Sequence, residues 1–390
     1  MTEVKHTIID EIGLIEISNP PVNAISASVR KGLLNSINEL GSNSLIKAIV
    51  IAAPGRTFLA GADIKEFGKN VDGPILSEVC DKIERLDKIV VASLHGTPLG
   101  GGLEVAMSAH YRIAAPKTKV GLPEVLLGIL PGAGGTQRLP RLCGVSMALD
   151  MMLTGRHVNI DEAFKNGIID EIAEDDDTVK NGISYAKRLL KRNSDVRPTS
   201  EISDKIDNLD EIKKTIEKIK SETLIKAKNL FSPHAIIKSV EEGLNLSFPN
   251  AIDNERRLFK ECIESPQRQG LIHSFFAERA ITKVPELELG KPKELKKIGV
   301  IGGGTMGTGI SMAAMNAGFS VVMIEQNDEA IEKALTKINA TYDRNVKLGR
   351  ISSEQKNQIM TLFTAVTNMD NLIDRDLVIE AVFENMGIKK

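Results

Sequence analysis

The chain has 390 residues, 42% hydrophobic and 26% charged, with a formal net charge of −2. That length suits two or three ordinary globular domains. The near-zero charge excludes a global pull toward nucleic acid or an anionic membrane, and no apolar run is long enough for membrane insertion.

The N-terminus, MTEVKHTIIDEIG, has no apolar h-region and does not read as a signal peptide. Cys80, Cys143 and Cys262 are scattered, form no CxxC pair, and read as reduced thiols of a cytoplasmic, bacterial-type protein. No metal site is expected. Thr7–Ile9 and Leu14–Ile17 read as a hairpin around a Glu11-Ile12-Gly13 turn. A helix is expected from about Ser28, because Val29, Leu33, Leu34, Ile37 and Leu40 share one helical face. Gly41 would end it. Lys47–Ala53 and Ile89–Leu94 are short apolar runs suited to buried strands. Strands alternating with helices give an α/β unit with a buried sheet.

Three segments concentrate glycine beside carboxylates. Phe58–Glu66 contains Ala60-Gly-Ala-Asp-Ile-Lys65 and follows the first apolar strand. His95–Met107 places three glycines, Gly100 to Gly102, at the start of a helix whose first turn carries Glu104. Gly121–Arg138 carries Glu124 and then Pro131-Gly-Ala-Gly-Gly-Thr-Gln-Arg138. Glycines at a helix start let a ligand approach N–H groups that have no partner within the helix, where the helix dipole adds positive charge. Two such groups from different loops suit a developing oxyanion, and nearby carboxylates suit proton transfer. A single Gly-Gly-Gly is more often a tight turn, and a single first-turn Glu usually only complements the dipole; the combination is far more specific.

Together with Asn19-Pro-Pro-Val-Asn-Ala-Ile25, these segments closely resemble the crotonase, or enoyl-CoA hydratase/isomerase, superfamily. The resemblance covers the first half of the chain. It implies a crotonase-type ββα spiral core over 1–190 and an acyl-CoA thioester substrate. It implies an oxyanion hole from the N–H groups of Ala62 and Gly101, with Glu104 and Glu124 as catalytic carboxylates. Ala60, Ala62, Asp63, Ile64, Lys65, Gly101 and Gly132 would bind the substrate, with the Ala60–Lys65 loop on coenzyme A. Retention of both glutamates favours hydration of trans-2-enoyl-CoA to 3-hydroxyacyl-CoA in fatty-acid β-oxidation. Double-bond isomerisation is the alternative, and a non-catalytic CoA-binding protein is disfavoured.

Composition changes near Lys191. Residues 191–295 read as a charged, helical segment and linker: solvated helix and loop to about Ser221, apolar residues at helical spacing from Ser232 to Ile281, then a Pro-containing linker from Lys283 to Glu294. By the resemblance, the Ser232–Ile281 helices would cover the face through which stand-alone relatives form trimers.

From Lys296 a second α/β unit begins. Its strand enters a helix through Gly302-x-Gly304-x-x-Gly307, and a second strand, Ser320–Ile324, leads to Glu325. That is a Rossmann pattern, with pyrophosphate at the helix N-terminus and Glu325 on the ribose, and the acid favours NAD over NADP. Strands are evident around Ile298, Val321 and Leu377. Gly302–Gly307 and Asp376–Asn385 resemble the NAD-binding domain of 3-hydroxyacyl-CoA dehydrogenases, which would place Met306, Glu325, Phe383, Glu384 and Lys389 near NAD. In that family a catalytic His–Glu pair follows later. Here no histidine lies beyond His273, so the 296–390 unit is expected to be an incomplete dinucleotide domain with weak NAD binding and no dehydrogenase activity; NAD-dependent 3-hydroxyacyl-CoA dehydrogenase activity is the alternative if the chain is a fragment of a longer bifunctional enzyme. The domain order resembles multifunctional β-oxidation enzymes, which also implies a thiolase subunit as a partner. It leaves a peroxisomal location open if the natural C-terminus lies beyond Lys390.

Overall fold

The computed structural model describes residues 3–66, 72–281, 290, 293–348 and 350–389. The chain divides into two compact units, Met1–Thr282 and Lys283–Lys390. Most of the expected Lys283–Glu294 linker, all but residues 290, 293 and 294, lies outside the described residues.

The first unit opens with β1 (Val4–Ile9), β2 (Ile12–Ile17), α1 (Ala27–Ser42), β3 (Ala48–Ala52), α2 (Leu76–Glu84), β4 (Ile89–Leu94), α3 (Gly101–Ser108) and β5 (Tyr111–Ala114). It continues through β6 (Lys119–Val120), a 3-10 turn at Glu124–Leu127, α4 (Gly135–Cys143) and α5 (Val145–Thr154). Then come β7 (Val158–Asn159), α6 (Ile160–Lys165), β8 (Glu171–Ile172) and α7 (Thr178–Lys191). Four further helices complete it: α8 (Leu209–Lys226), α9 (Phe231–Gly243), α10 (Phe248–Glu264) and α11 (Pro266–Ile281).

The main sheet runs β1-β2-β3-β4-β5-β8, antiparallel between β1 and β2 and parallel elsewhere. Strands β3 and β4 are buried along their whole length because both sheet faces are covered. Alternate residues serve the two sides. Ile49, Ile51, Val90 and Ala92 join the large core with Leu33 and Ile37 of α1, while Val50 and Val91 meet Tyr185 and Leu189 of α7.

Three local expectations are corrected. The hairpin turns at Asp10-Glu11, with Asp10 at φ 54°, a left-handed conformation that a short polar side chain tolerates. Gly13 lies inside β2, where a Cβ would come 2.7 Å from Leu40 Cδ1. Likewise Gly41 does not end α1. The helix continues to Ser42, and Gly41 admits Leu86, whose Cδ2 would stand 2.8 Å from an added Cβ. The Lys191–Ser221 stretch is not solvated throughout, because Ile212 and Ile216 of α8 are buried in the core.

The second unit contains β9 (Lys297–Ile301), α12 (Thr305–Asn316), β10 (Ser320–Ile324), α13 (Asp328–Lys347), α14 (Ser353–Met360), β11 (Phe363–Val366), β12 (Leu377–Glu380) and α15 (Met386–Lys389). Its sheet is parallel, in the order β11-β10-β9-β12. By position this is 3-2-1-4, the opening of a dinucleotide-binding sheet. Strand β11 is an addition to the three strands legible in the sequence. Val300, Val321, Met323, Ala334, Ile338 and Tyr342 form a separate core. Leu377 and Val378, on the edge strand β12, are exposed. Among the described residues no helix is long and apolar enough to cross a membrane.

Candidate active site

The three glycine-rich segments converge at the carboxyl ends of the parallel strands. The Asn19–Ile25 loop anchors the first. The Asn23 side chain donates to the carbonyls of Pro54 and Thr57, both at 2.9 Å, and Ile25 bridges to Ala62. The second is tied to the third through a bridge between Leu99 and Gly121. Gly61, at φ 111°, lies so close to the second segment that a Cβ would come 3.1 Å from the Leu99 carbonyl oxygen. A Cβ on Gly101 would in turn stand 3.3 Å from Ala62 N. The backbone amides of Ala62 and Gly101 are therefore neighbours, and neither donates a hydrogen bond to a described residue. Gly101 opens α3, where helix geometry leaves its N–H free.

Glu104, in the first turn of α3, is buried, and its Oε1 accepts from Ala133 N at 2.7 Å and Gly135 N at 2.9 Å. Burial raises its pKa, while those two N–H groups and the Arg138 guanidinium oppose the rise. Glu124 begins the Glu124–Leu127 turn, beside Gly100, where a Cβ would stand 2.9 Å from Glu124 Oε1. The residue is partly exposed, yet its Oε2 is buried without a hydrogen-bond partner among the described residues. Burial first, then the charges of Glu104 and Glu255, hold its carboxyl well above the usual range.

Glu255 escaped the sequence reading. It is fully buried on α10 and accepts from Gly134 N at 2.6 Å and Thr136 N at 2.9 Å. Burial and the Glu104 charge push it up to about 8. Its signal was its place on the apolar stripe of Ala251, Ile252, Leu258 and Cys262, where a carboxylate needs a partner. Phe259, one turn later, packs on Gly132, where a Cβ would come 2.5 Å from its ring. Arg138 was also unassigned. It is fully buried, pairs with Glu84 at 2.7 Å and Asp81 at 3.2 Å, and donates to the Ala133 carbonyl at 3.0 Å.

Of the expected substrate contacts, Ala60, Ala62, Asp63 and Ile64 lie on the turn ending in the short 3-10 helix Ile64–Glu66. The Lys65 side chain lies outside the described residues. No group of three or more potential metal ligands occurs among the described residues.

In the second unit, Gly302 has φ 96°, and a Cβ on Gly307 would sit 1.7 Å from the Gly302 carbonyl oxygen. Only glycine permits that turn. Gly304 caps α12 with open space beside it. Glu325 follows β10 and accepts from Gly303 N. Gly302 also abuts Ala381 after β12, so the glycine turn and the β12 loop adjoin where strand order reverses. Met306 and Phe383 are exposed, and Lys389 pairs with Glu380 and Glu384. This geometry fits a dinucleotide: a helix N-terminus with open space beside Gly304, a tight turn that requires glycine, and an acid at the second strand end.

A family model described as enoyl-CoA hydratase/isomerase matches residues 7–201. One described as 3-hydroxyacyl-CoA dehydrogenase, NAD binding domain, matches residues 297–390. The chain is 36% identical over 391 residues to a peroxisomal fatty acid beta-oxidation multifunctional protein of Arabidopsis thaliana, covering 98% of this chain and 54% of that protein. It is 37% identical over 385 residues to a peroxisomal bifunctional enzyme of Danio rerio, covering 97% and 52% respectively. The chain thus spans about half the length of the curated relatives it matches. A carnitinyl-CoA hydratase structure from Mycobacterium avium aligns with a TM-score of 0.53 at 24% identity, covering 71% of this chain and 97% of that one, a likeness of fold. The chain belongs to the enoyl-CoA hydratase/isomerase family, with a segment behind the hydratase-like half that matches the NAD-binding domain of 3-hydroxyacyl-CoA dehydrogenases.

Proposed function

We propose that the first unit hydrates trans-2-enoyl-CoA thioesters to 3-hydroxyacyl-CoA, as a step of fatty-acid β-oxidation. The observation that carries this reading is the convergence of Glu104 and Glu124 on two adjacent N–H groups, of Ala62 and Gly101, that have no described acceptor. The thioester oxygen would accept both N–H groups as negative charge builds on it. One such donor is commonly worth about 3 kcal/mol of barrier. The environments of the two carboxyls separate their roles. Glu104, kept ionised by two N–H groups, is the carboxylate able to take a proton from the water that attacks C3. Glu124, with its raised pKa, keeps a proton and delivers it to C2. The hydroxyl ends on C3 and the new hydrogen on C2, so the addition balances. Ala60, Asp63, Ile64 and Lys65 would contact coenzyme A, and Gly132 would line the acyl side.

For the second unit the reading is weak NAD binding without dehydrogenase activity in this 390-residue chain. Gly302, Gly304, Gly307 and Met306 would hold the pyrophosphate end and Glu325 the ribose, with Phe383, Glu384 and Lys389 nearby. Bound NAD would supply a hydride acceptor. The domain order supports a thiolase as the partner that consumes a later product. A cytoplasmic location is our reading, against the peroxisome named for the relatives; cell fractionation separates the two.

The deciding experiment is a steady-state assay with crotonyl-CoA and a longer trans-2-enoyl-CoA, following loss of enoyl absorbance. Turnover is expected. Its absence with both substrates, from folded protein, would refute the hydratase reading.

A further inference from the structure

The backbone at the entrance to α4 offers four N–H groups in succession, from Ala133 to Thr136. They divide alternately between two carboxylates. Ala133 and Gly135 donate to Glu104 Oε1, while Gly134 and Thr136 donate to Glu255 Oε1 and Oε2. The Thr136 hydroxyl also meets Glu255 and shares a hydrogen bond of 2.7 Å with Ser239 on α9. Gln137 donates to the Thr136 hydroxyl at 2.9 Å and to the Ser239 carbonyl at 3.0 Å. Phe259 closes the other end of the loop against Gly132. Helix α10, which carries Glu255 and Phe259, lies outside the stretch matched by the hydratase/isomerase family model.

A buried carboxylate is costly, and a second one beside Glu104 is costlier still. A capping hydroxyl or amide would satisfy Gly134 and Thr136 more cheaply. What the carboxyl group adds is a fixed claim on two of the four N–H groups, one by each of its oxygens. A slide of the loop by one residue would exchange the groups between the two acids and leave Glu104 with the wrong pair.

We infer that Glu255 is a positioning residue of the hydratase site: by holding Gly134 and Thr136 it keeps the interleaved N–H groups of Ala133 and Gly135 on Glu104. The inference rests on the hydratase reading. Among the described residues Glu255 accepts no hydrogen bond from Ala62, Gly101 or the Ala60–Ile64 turn, so its loss is expected to act on turnover and spare substrate binding.

The test is hydration of crotonyl-CoA by the full 390-residue chain, comparing wild type, Glu255→Ala, Glu255→Gln and, as a control, Glu261→Ala at an exposed position of α10. Loss of an ångström-scale alignment costs roughly tenfold to a hundredfold in rate. Glu255→Ala is expected to lower kcat by about that factor with KM changed less than about twofold, the pattern of a group that matters mainly in the transition state. Glu255→Gln, which keeps one accepting oxygen, is expected to fall between it and wild type, and Glu261→Ala to match wild type. Unchanged kcat in the Glu255 variants overturns the inference. So does failure of both variants to fold, or a kcat loss that disappears when rates are normalised to the folded fraction measured on the same sample, since either assigns Glu255 to the fold alone. An inactive wild type overturns the hydratase reading together with this one; an active wild type with active variants overturns only this one.

Discussion

Gly100 and Glu124 are fitted to each other: a Cβ on Gly100 would stand 2.9 Å from Glu124 Oε1, and Gly100 has φ 52°. The residue that caps α3 therefore also sets how near the second carboxylate lies to the first. Gly100→Ala would force a side chain into a left-handed conformation costing about 1 kcal/mol and push the Glu124 carboxylate aside. Hydration is expected to fall at least about tenfold, since small misplacements of catalytic groups carry costs of that size. Steady-state assays of the variant, beside a thermal melt, check this. Wild-type kcat would show that Glu124 does not act from this position.

Glu104→Gln and Glu124→Gln are each expected to depress hydration by about a hundredfold or more, because each acid handles a different proton. The fold should survive, since the amide introduced by Glu104→Gln keeps an oxygen for the N–H groups of Ala133 and Gly135. Near-normal turnover of crotonyl-CoA by either variant would contradict the two-glutamate assignment.

How far the site was legible in the sequence depends on where each residue sits. Glu104 and Glu124 stand beside dense runs of glycine, which made them conspicuous. Glu255 stands in Asp253-Asn-Glu-Arg-Arg-Leu258, where charge is expected, and only its spacing from Ala251, Ile252, Leu258 and Cys262 marks it as buried. The fold showed the same division. The apolar strands β3 and β4 are continuous runs and were plain. Phe363–Val366 is short and no residue of it is fully buried, so its sequence lacks the signature of an inner strand. Gly13 and Gly41 misled because a glycine serving close packing looks, in sequence, like one serving a turn.

The buried acids also predict a pH dependence of stability. Glu255 titrates at about 8 in the folded chain because of burial and the Glu104 charge, opposed by Thr136 and the N–H groups of Gly134 and Thr136. The ordinary value is 4.5. Between those values the native state holds a proton that the unfolded chain has released, so stability falls as pH rises. Above the folded pKa that contribution is gone. Glu255→Gln cannot ionise, so its melting temperature should decline less than that of wild type between about pH 6 and about pH 9. Parallel declines would show that Glu255 does not titrate there.

In the second unit, Gly307→Ala is expected to abolish NAD binding, because its Cβ would sit 1.7 Å from the Gly302 carbonyl oxygen and the turn would have to open. Hydration of crotonyl-CoA should be unchanged, since Gly307 belongs to the other compact unit. Titration calorimetry with NAD and the hydration assay, on one preparation, read both outcomes. Retained NAD affinity would show that the Gly302–Gly307 turn is not the pyrophosphate site.

The last prediction is that this 390-residue chain forms no NADH from 3-hydroxybutyryl-CoA. Hydride loss from a secondary alcohol needs a base within hydrogen-bond reach of the hydroxyl as the hydride departs. Residues 283–390 contain no histidine. The acids nearest the glycine turn are already committed: Glu325 to the N–H groups of Gly303 and Gln326, and Glu380 to Lys389 and the N–H of Val382. The Lys389 contact first, then the Val382 N–H, lowers the Glu380 pKa, which makes it a poor proton acceptor. NADH absorbance is to be followed with excess NAD, beside hydration of crotonyl-CoA by the same sample. Sustained NADH formation by pure protein would mean that another group serves as the base, and the assignment of the second unit to binding alone would have to be given up.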